Sequence, residues 1–183
     1  MRYEELFNDV KRIFPKVYSD TRGSFSEDYN YIEFEKIGIK DKFVQDNISI
    51  SSKKNTIRGL HFQSNPFSQS KMIKVIRGSI FDVFVDLRKQ SNTYEQFHHI
   101  ELYPDEGWIY IPEGFAHGFC TLEDETIVLY KVNDYYSLKN DGGIKYDDPS
   151  FSIPWPLFDD KPILSDKDIK LPNWKEIKNK VNF

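Results

Sequence analysis

Residues 80–87 read Ile80-Phe81-Asp82-Val83-Phe84-Val85-Asp86-Leu87, and their strict alternation decides the fold class. With a side-chain period of two, Phe81, Val83, Val85 and Leu87 share one face of a strand, while Ile80, Asp82, Phe84 and Asp86 share the other. One face is wholly apolar and the other is mixed, as in a strand that packs on one side and carries polar groups on its other side.

Outward from this strand, similar β-rich runs recur at Phe43–Ser52, Thr56–Phe62, Lys71–Arg77, Phe97–Leu102, Gly107–Ile111, Phe115–Thr121 and Thr126–Val132. Turn signals separate them: Ser64-Asn65-Pro66, Arg77-Gly78, Pro104-Asp105-Glu106-Gly107 and Glu123-Asp124. Many short strands without intervening helical periods predict an all-β domain, a β-sandwich, jelly roll or barrel. Helix is expected only at the margins, over Tyr31–Lys36 behind Asn30 and over Trp174–Val181. Asp147–Asp168, with Pro149, Pro154, Pro156 and Pro162 inside it, is expected to be an irregular strap over the sandwich. No repeat, linker or low-complexity tract divides residues 1–183, so a single domain is predicted.

A chain of 183 residues buries roughly 70% of its unfolded surface on folding, enough for a core without staples. The net charge of -4 and the lack of any Lys/Arg run argue against nucleic acid as a partner. Cys120 is the only cysteine, which excludes an internal disulfide and fits a reducing compartment. The first residues, MRYEELFNDVKRIF, carry acids and no apolar core, and no run reaches the length of a membrane span. A cytoplasmic protein without a membrane partner is expected.

Chemistry concentrates in RGLHFQ (Arg58–Gln63), Lys71 and IPEGFAHGF (Ile111–Phe119). The chain has four histidines. A metal site in a small β-barrel needs two histidines two apart on one strand and a third on a later strand, so that they converge as a facial set. No His-x-His occurs, and the adjacent His98 and His99 point to opposite faces, so no metal is expected. Without a metal, a histidine serves proton transfer, because its pKa lies near neutrality.

On a regular strand Arg58 and Leu60 share one face and Gly59 and His61 the other, unless a bulge at Gly59 brings Arg58 and His61 together. Glycine there also lets a substrate approach the backbone. From spacing alone, a hydrogen-bonded core histidine beside a surface arginine is the favoured reading. Tyr130, on the face of Val128, is either core with its hydroxyl at the rim or a proton-donating phenol. Lys71 opens a strand and is either solvated or, inside a cavity, a cation for a developing oxyanion. Cys120 is expected to be a buried structural thiol, and His98 and His99 solvated strand residues.

The chain resembles the dTDP-4-dehydrorhamnose 3,5-epimerases from about Phe14 to Trp174. The likeness rests on PKVYSDTRGSF (Pro15–Phe25), FVQDNISIS (Phe43–Ser51), RGLHFQ, the stretch from Lys71 through DVFVDLR, IPEGFAHGF, LYK-x-x-DYY (Leu129–Tyr136), DDPSFSIPWP (Asp147–Pro156) and LSDKD (Leu164–Asp168). The resemblance implies a cupin-type jelly roll that dimerises by exchanging N-terminal strands. It implies an isomerase that needs no metal or redox cofactor and converts dTDP-4-dehydro-6-deoxy-D-glucose to dTDP-4-dehydro-L-rhamnose, in dTDP-L-rhamnose biosynthesis. In such chemistry a base removes the proton on C3 or C5, which the C4 ketone acidifies, and an acid returns one from the opposite face of the enolate.

Carried over by this resemblance, His61 looks like the base, Asp168 the carboxylate that fixes its tautomer, Tyr130 the acid and Lys71 the cation on the enolate oxygen. Arg22 and Arg58 look like pyrophosphate clamps. Glu27, Gln45, Asn47, His117 and Lys167 resemble further nucleotide and sugar contacts, and Tyr136 resembles the aromatic that stacks on thymine. Asp141 departs from the pattern, which usually has glutamate there, and the glycines of NDGGI (Asn140–Ile144) predict a mobile loop. Two alternatives stand beside this reading: an epimerase acting at C3 or C5 only on a related nucleotide-linked 4-keto sugar, and a non-catalytic sugar-nucleotide-binding jelly roll.

Overall fold

The computed structural model describes residues 1–157 and 161–183. Thirteen strands and three short helices follow in chain order: β1 (Arg2–Phe7), β2 (Val10–Phe14), β3 (Val17–Asp20), β4 (Gly23–Ser26), α1 (Tyr31–Lys36), β5 (Gln45–Ser51), β6 (Ile57–Gln63), β7 (Lys71–Arg77), β8 (Ile80–Asp86), β9 (Phe97–Leu102), β10 (Trp108–Ile111), β11 (Phe115–Thr121), β12 (Thr126–Val132), β13 (Asp141–Gly143), α2 (Asp166–Ile169) and α3 (Trp174–Ile177). A six-stranded sheet in the order β1-β2-β10-β7-β12-β5 faces a five-stranded sheet in the order β13-β6-β11-β8-β9, and β3-β4 forms a separate hairpin. The all-β expectation is borne out as a cupin-type sandwich of antiparallel sheets.

The alternation of β8 is realised on both faces. Phe81, Val83, Val85 and Leu87 join a cluster on the outer face of the five-stranded sheet, roofed by Phe151, Trp174 and Val181 from the C-terminal segment. Ile80 and Phe84 point the other way, into a cluster with Ile73, Val75, Ile109 and Val128 that fills the space between the sheets. A third cluster, with Phe34 of α1 over Met72, Trp108 and Tyr110, covers part of the outer face of the six-stranded sheet. The two aspartates of β8 are fully buried yet partnered. Asp86 accepts from the Arg88 guanidinium at 2.8 Å, Ser91 Oγ at 2.6 Å and Thr93 Oγ1 at 2.7 Å. Burial pushes its carboxyl up, but those donors outweigh it and hold it at about 2.

Helix α1 falls where expected: the Asn30 side chain accepts from Ile32 N at 3.0 Å and Glu33 N at 3.4 Å, satisfying first-turn donors. The C-terminal helix is shorter than its pattern, ending at Ile177. The strap between Asp147 and Asp168 is irregular up to Leu157, and residues 158–160 of it lie outside the described residues. At its end it becomes a helix, α2, whose N-cap Ser165 accepts from Asp168 N at 3.1 Å. Two expectations are corrected. His98 is half-buried rather than solvated and stacks on Phe7 at 5.7 Å, whereas His99 is exposed, as expected, with its ring against Phe81 at 4.5 Å. The NDGGI loop is not a free loop, for Asp141–Gly143 pairs with Gln63–His61 as β13. Its glycines serve close packing, since a Cβ on Gly143 would lie 2.6 Å from Leu60 O and one on Gly142 2.8 Å from the Phe62 ring. Cys120 is buried, as expected, and desolvation pushes its thiol up to about 12.

Candidate active site

Strand β6 carries one residue more than β11 opposite it. His61 pairs with His117 and Arg58 with Phe119, so three steps on β6 match two on β11. Gly59, at φ +126°, absorbs the extra residue. A Cβ there would lie 2.5 Å from Gly118 Cα and 2.8 Å from His117 O. The glycine thus admits strand β11, not a substrate as its sequence context suggested. The bulge turns Arg58 and His61 to the same side, and both line a cavity of about 470 Å³ between the sheets.

The cavity brings together Arg58, His61, Lys71, His117, Tyr130 and Asp168. His61 comes from the five-stranded sheet, whereas Lys71 on β7 and Tyr130 on β12 come from the six-stranded sheet facing it. His61 Nε2 donates to Asp168 Oδ1 at 2.5 Å, which leaves Nδ1 as the ring nitrogen available for a proton. Asp168 is buried and held in turn by the Ser165 hydroxyl, which donates to Oδ2 at 2.9 Å. Burial raises its pKa, but His61, Ser165 and the charge of Lys167 outweigh that and leave it below the ordinary value.

Lys71 Nζ donates to His61 O at 3.2 Å. Desolvation drives its ammonium down to about 8, only partly countered by the charges of Asp141 and Asp82. The Tyr130 hydroxyl has no hydrogen-bond partner among the described residues; burial raises its pKa against the charges of Arg58 and Lys167. His117 Nε2 donates to Asp82 Oδ1 at 2.6 Å, and Asp82 Oδ2 is buried without a partner. Arg58 reaches across to β5, where its guanidinium donates to Ser51 Oγ and Ile50 O, each at 3.2 Å. The described residues contain no group of three or more His, Cys, Asp and Glu side chains able to hold a metal ion. None of their helices is long and apolar enough to cross a membrane.

The other residues singled out in the sequence lie elsewhere. Tyr136, Asp141 and Lys167 form a cluster of their own: Asp141 Oδ2 accepts from Tyr136 Oη at 3.0 Å and from Lys167 Nζ at 2.5 Å. Gln45 and Asn47 share one face of β5 with Ser49 and bond to each other at 2.8 Å. Arg22 and Glu27 belong to the β3-β4 region and do not line the cavity of their own chain. Arg22 pairs instead with Asp20 at 2.6 Å, and Glu27 accepts from Asn30 Nδ2 at 3.0 Å.

Sequence reading missed Ser165, Ser49, Phe119 and Asp82. The pattern Ser165-x-x-Asp168 is a capping signature that pointed to α2 and hence to Ser165. Phe119 and His117 share a face of β11, so its period of two placed Phe119 beside the cavity. Gln63 was also passed over. Its side chain donates to Phe67 O at 2.7 Å and Tyr135 O at 3.2 Å and accepts from Ser137 N at 2.6 Å, anchoring the loop that carries Tyr136.

Known proteins with this sequence pattern and fold are consistent with one another. The family model for dTDP-4-dehydrorhamnose 3,5-epimerase matches residues 4–176. A dTDP-4-dehydrorhamnose 3,5-epimerase of Methanothermobacter thermautotrophicus is 48% identical over 167 residues, covering 90% of this chain and 87% of the relative. The crystal structure of a dTDP-4-dehydrorhamnose 3,5-epimerase from Bacillus anthracis, with TDP and PPi bound, superposes with a TM-score of 0.89 at 49% identity, covering 93% of this chain and 97% of that one. A dTDP-6-deoxy-D-glucose-3,5-epimerase from Legionella pneumophila, in complex with dTDP-4-keto-L-rhamnose, superposes with a TM-score of 0.90 at 38% identity, covering 98% and 95%.

Proposed function

The chain belongs to the dTDP-4-dehydrorhamnose 3,5-epimerase family, and from that premise we propose that it epimerises dTDP-4-dehydro-6-deoxy-D-glucose at C3 and C5 to dTDP-4-dehydro-L-rhamnose. The observation that carries this reading is the pairing across one cavity of the His61–Asp168 dyad with Tyr130 from the facing sheet, with Lys71 Nζ reaching the His61 carbonyl in the same cavity. The C4 ketone supplies the acidity of the C3 and C5 protons, so the protein needs only a base, an acid on the other face and a cation for the oxyanion.

His61 Nδ1 takes the proton from the carbon next to the ketone, and the C–H electron pair moves into the ring to leave an enolate with its charge on the C4 oxygen. The resulting imidazolium is stabilised by Asp168. Lys71 meets the enolate oxygen as an ammonium in a site poor in water. Tyr130 returns a proton to the same carbon from the opposite face, and exchange with solvent reprotonates the phenolate and deprotonates the imidazolium before the second centre reacts.

The hairpin residues enter through a second copy of the chain. Val17, Tyr18 and Phe25 of the hairpin and Ile48, Ile50 and Ile76 of the six-stranded sheet are large exposed apolar side chains. Exchange of N-terminal hairpins in a homodimer would cover them and bring the partner's arginine at position 22 to the open side of the cavity as a pyrophosphate clamp. Sedimentation equilibrium tests this: wild type is expected as a dimer, and Phe25→Asp as a monomer with weakened dTDP binding.

Incubation with dTDP-4-dehydro-6-deoxy-D-glucose in D₂O tests the reaction. Deuterium is expected at both C3 and C5. Label at one carbon selects a mono-epimerase, and dTDP binding without label selects a non-catalytic binding protein.

A further inference from the structure

Strand β8 carries a buried carboxylate that takes no part in the proton transfers. By the alternation of the strand, Asp82 points between the two sheets with Ile80 and Phe84, and it is fully buried. Its cross-strand neighbours are apolar, Phe119 on β11 and Ile100 on β9. Oδ1 accepts from His117 Nε2 at 2.6 Å, whereas Oδ2 has no hydrogen-bond partner among the described residues. A bare carboxylate oxygen in such a wall destabilises the fold unless a cation stands near enough to offset its charge.

Lys71 is such a cation. It enters from the facing sheet, and it lines the same cavity as His117. The charges of Asp82 and of Asp141 on β13 favour its ammonium, and that of Lys167 on α2 opposes it. Asp141 and Lys167 pair with each other at 2.5 Å, so their opposite charges largely cancel at Lys71. On the remaining sides, Asp168 of α2 is taken up by His61 of β6, Arg58 of β6 donates to Ser51 Oγ and Ile50 O, and Tyr130 of β12 is a neutral phenol. Asp82 is therefore the carboxylate whose charge is left to act on Lys71, and its full burial keeps water from screening that charge.

We propose that Asp82 is a positioning residue: its buried carboxylate acts across the gap between the sheets to hold Lys71 as an ammonium, without itself touching the substrate. This rests on the epimerase reading above, in which Lys71 meets the enolate oxygen.

The test titrates Lys71 directly, by 13C NMR of the reductively methylated full-length protein, with its resonance assigned by its absence in Lys71→Met. Asp82→Asn keeps an acceptor for His117 Nε2 and removes the charge. Its Lys71 is expected to titrate about one pH unit below the wild-type value of about 8. The charged fraction at pH 8 then drops from about a half to about a tenth, so turnover relative to wild type is expected to fall about fivefold at pH 8 and less than about twofold at pH 6. His117→Gln removes the imidazole and leaves the carboxylate; its Lys71 is expected to titrate no lower than in wild type, and this variant serves where Asp82→Asn does not fold. An unchanged Lys71 titration in Asp82→Asn, a loss of turnover that does not depend on pH, or a lowered Lys71 titration in His117→Gln would overturn the proposal. The NMR titration needs no substrate, so a shifted Lys71 in Asp82→Asn together with a wild type that exchanges no deuterium would fault the epimerase reading alone.

Discussion

His61 and Asp168 lie 107 residues apart in sequence and meet at 2.5 Å, Nε2 on Oδ1, with the carboxylate buried and capped by Ser165. An amide in place of that carboxylate can donate to Nε2 and so shift the ring proton to Nδ1, the nitrogen proposed as the base. Asp168→Asn is therefore expected to lower kcat by about 10²- to 10⁴-fold with little change in dTDP affinity. Single-turnover deuterium exchange checks this, and a loss of less than fivefold would remove the dyad from the mechanism. The carboxyl lies below its ordinary 3.8 in the fold, so it adds stability that is present above 3.8 and lost as pH falls through the lower value. Asp168→Asn should lose that acid sensitivity.

Lys71 works against the stability of the fold. Its ammonium, pushed by desolvation from 10.5 to about 8, is disfavoured by folding at neutral pH. Between about 8 and 10.5 the unfolded chain binds the extra proton, so this residue's contribution to stability improves as pH rises through that window. On the proposed mechanism activity should run the other way, falling as pH rises through about 8, because an enolate oxygen would need the charged form. Lys71→Met is expected to abolish measurable turnover while stabilising the protein by about 1–2 kcal/mol in urea titrations. A destabilised Lys71→Met would show that the ammonium is paired more strongly than its surroundings indicate.

Tyr130 offers a hydroxyl that bonds to nothing among the described residues. Its removal costs the fold little, since no hydrogen bond is lost, yet it takes away the hydroxyl proposed as the proton donor on the far side of the cavity. In Tyr130→Phe the melting temperature should stay within about 2 °C of wild type. Turnover should fall by about 10²-fold or more. Proton abstraction by His61 should persist, so deuterium exchange at the carbon is expected to outlast net epimerisation. Loss of both in equal measure would assign Tyr130 to binding instead.

The alternation of Ile80–Leu87 and the β-rich runs between turn signals made eight of the thirteen strands among the described residues legible, because a strand with one apolar and one mixed face shows a period of two. β1 escaped because its first four residues are exposed and carry no such pattern, and the exposed β3-β4 hairpin escaped for the same reason. The turn joining β1 to β2 was marked only by Asn8 and Asp9, both at positive φ. The Gly59 bulge was visible as an alternative, but only the register against β11 decided it. Asp141 was singled out by the resemblance alone, whereas its hydrogen bonds to Tyr136 and Lys167 depend on how β13, β6 and α2 come together, which no local pattern encodes.

Gly59 and Gly118 let β6 and β11 approach closely at the bulge. A methyl at residue 59 would stand 2.5 Å from Gly118 Cα, against backbone that cannot rotate away, and φ +126° is unsuited to any L side chain. Gly59→Ala must therefore either push β11 outward or flatten the bulge. Either course strains the sheet, at about 2–4 kcal/mol by the usual cost of overpacking and of a forced backbone conformation. Flattening would also return Arg58 and His61 to opposite faces, because three steps along a regular strand reverse the side-chain direction. The expected result is a lower denaturation midpoint together with loss of deuterium exchange that persists at temperatures where the variant is fully folded. A folded Gly59→Ala protein with wild-type exchange would show that the bulge is not what aims the base.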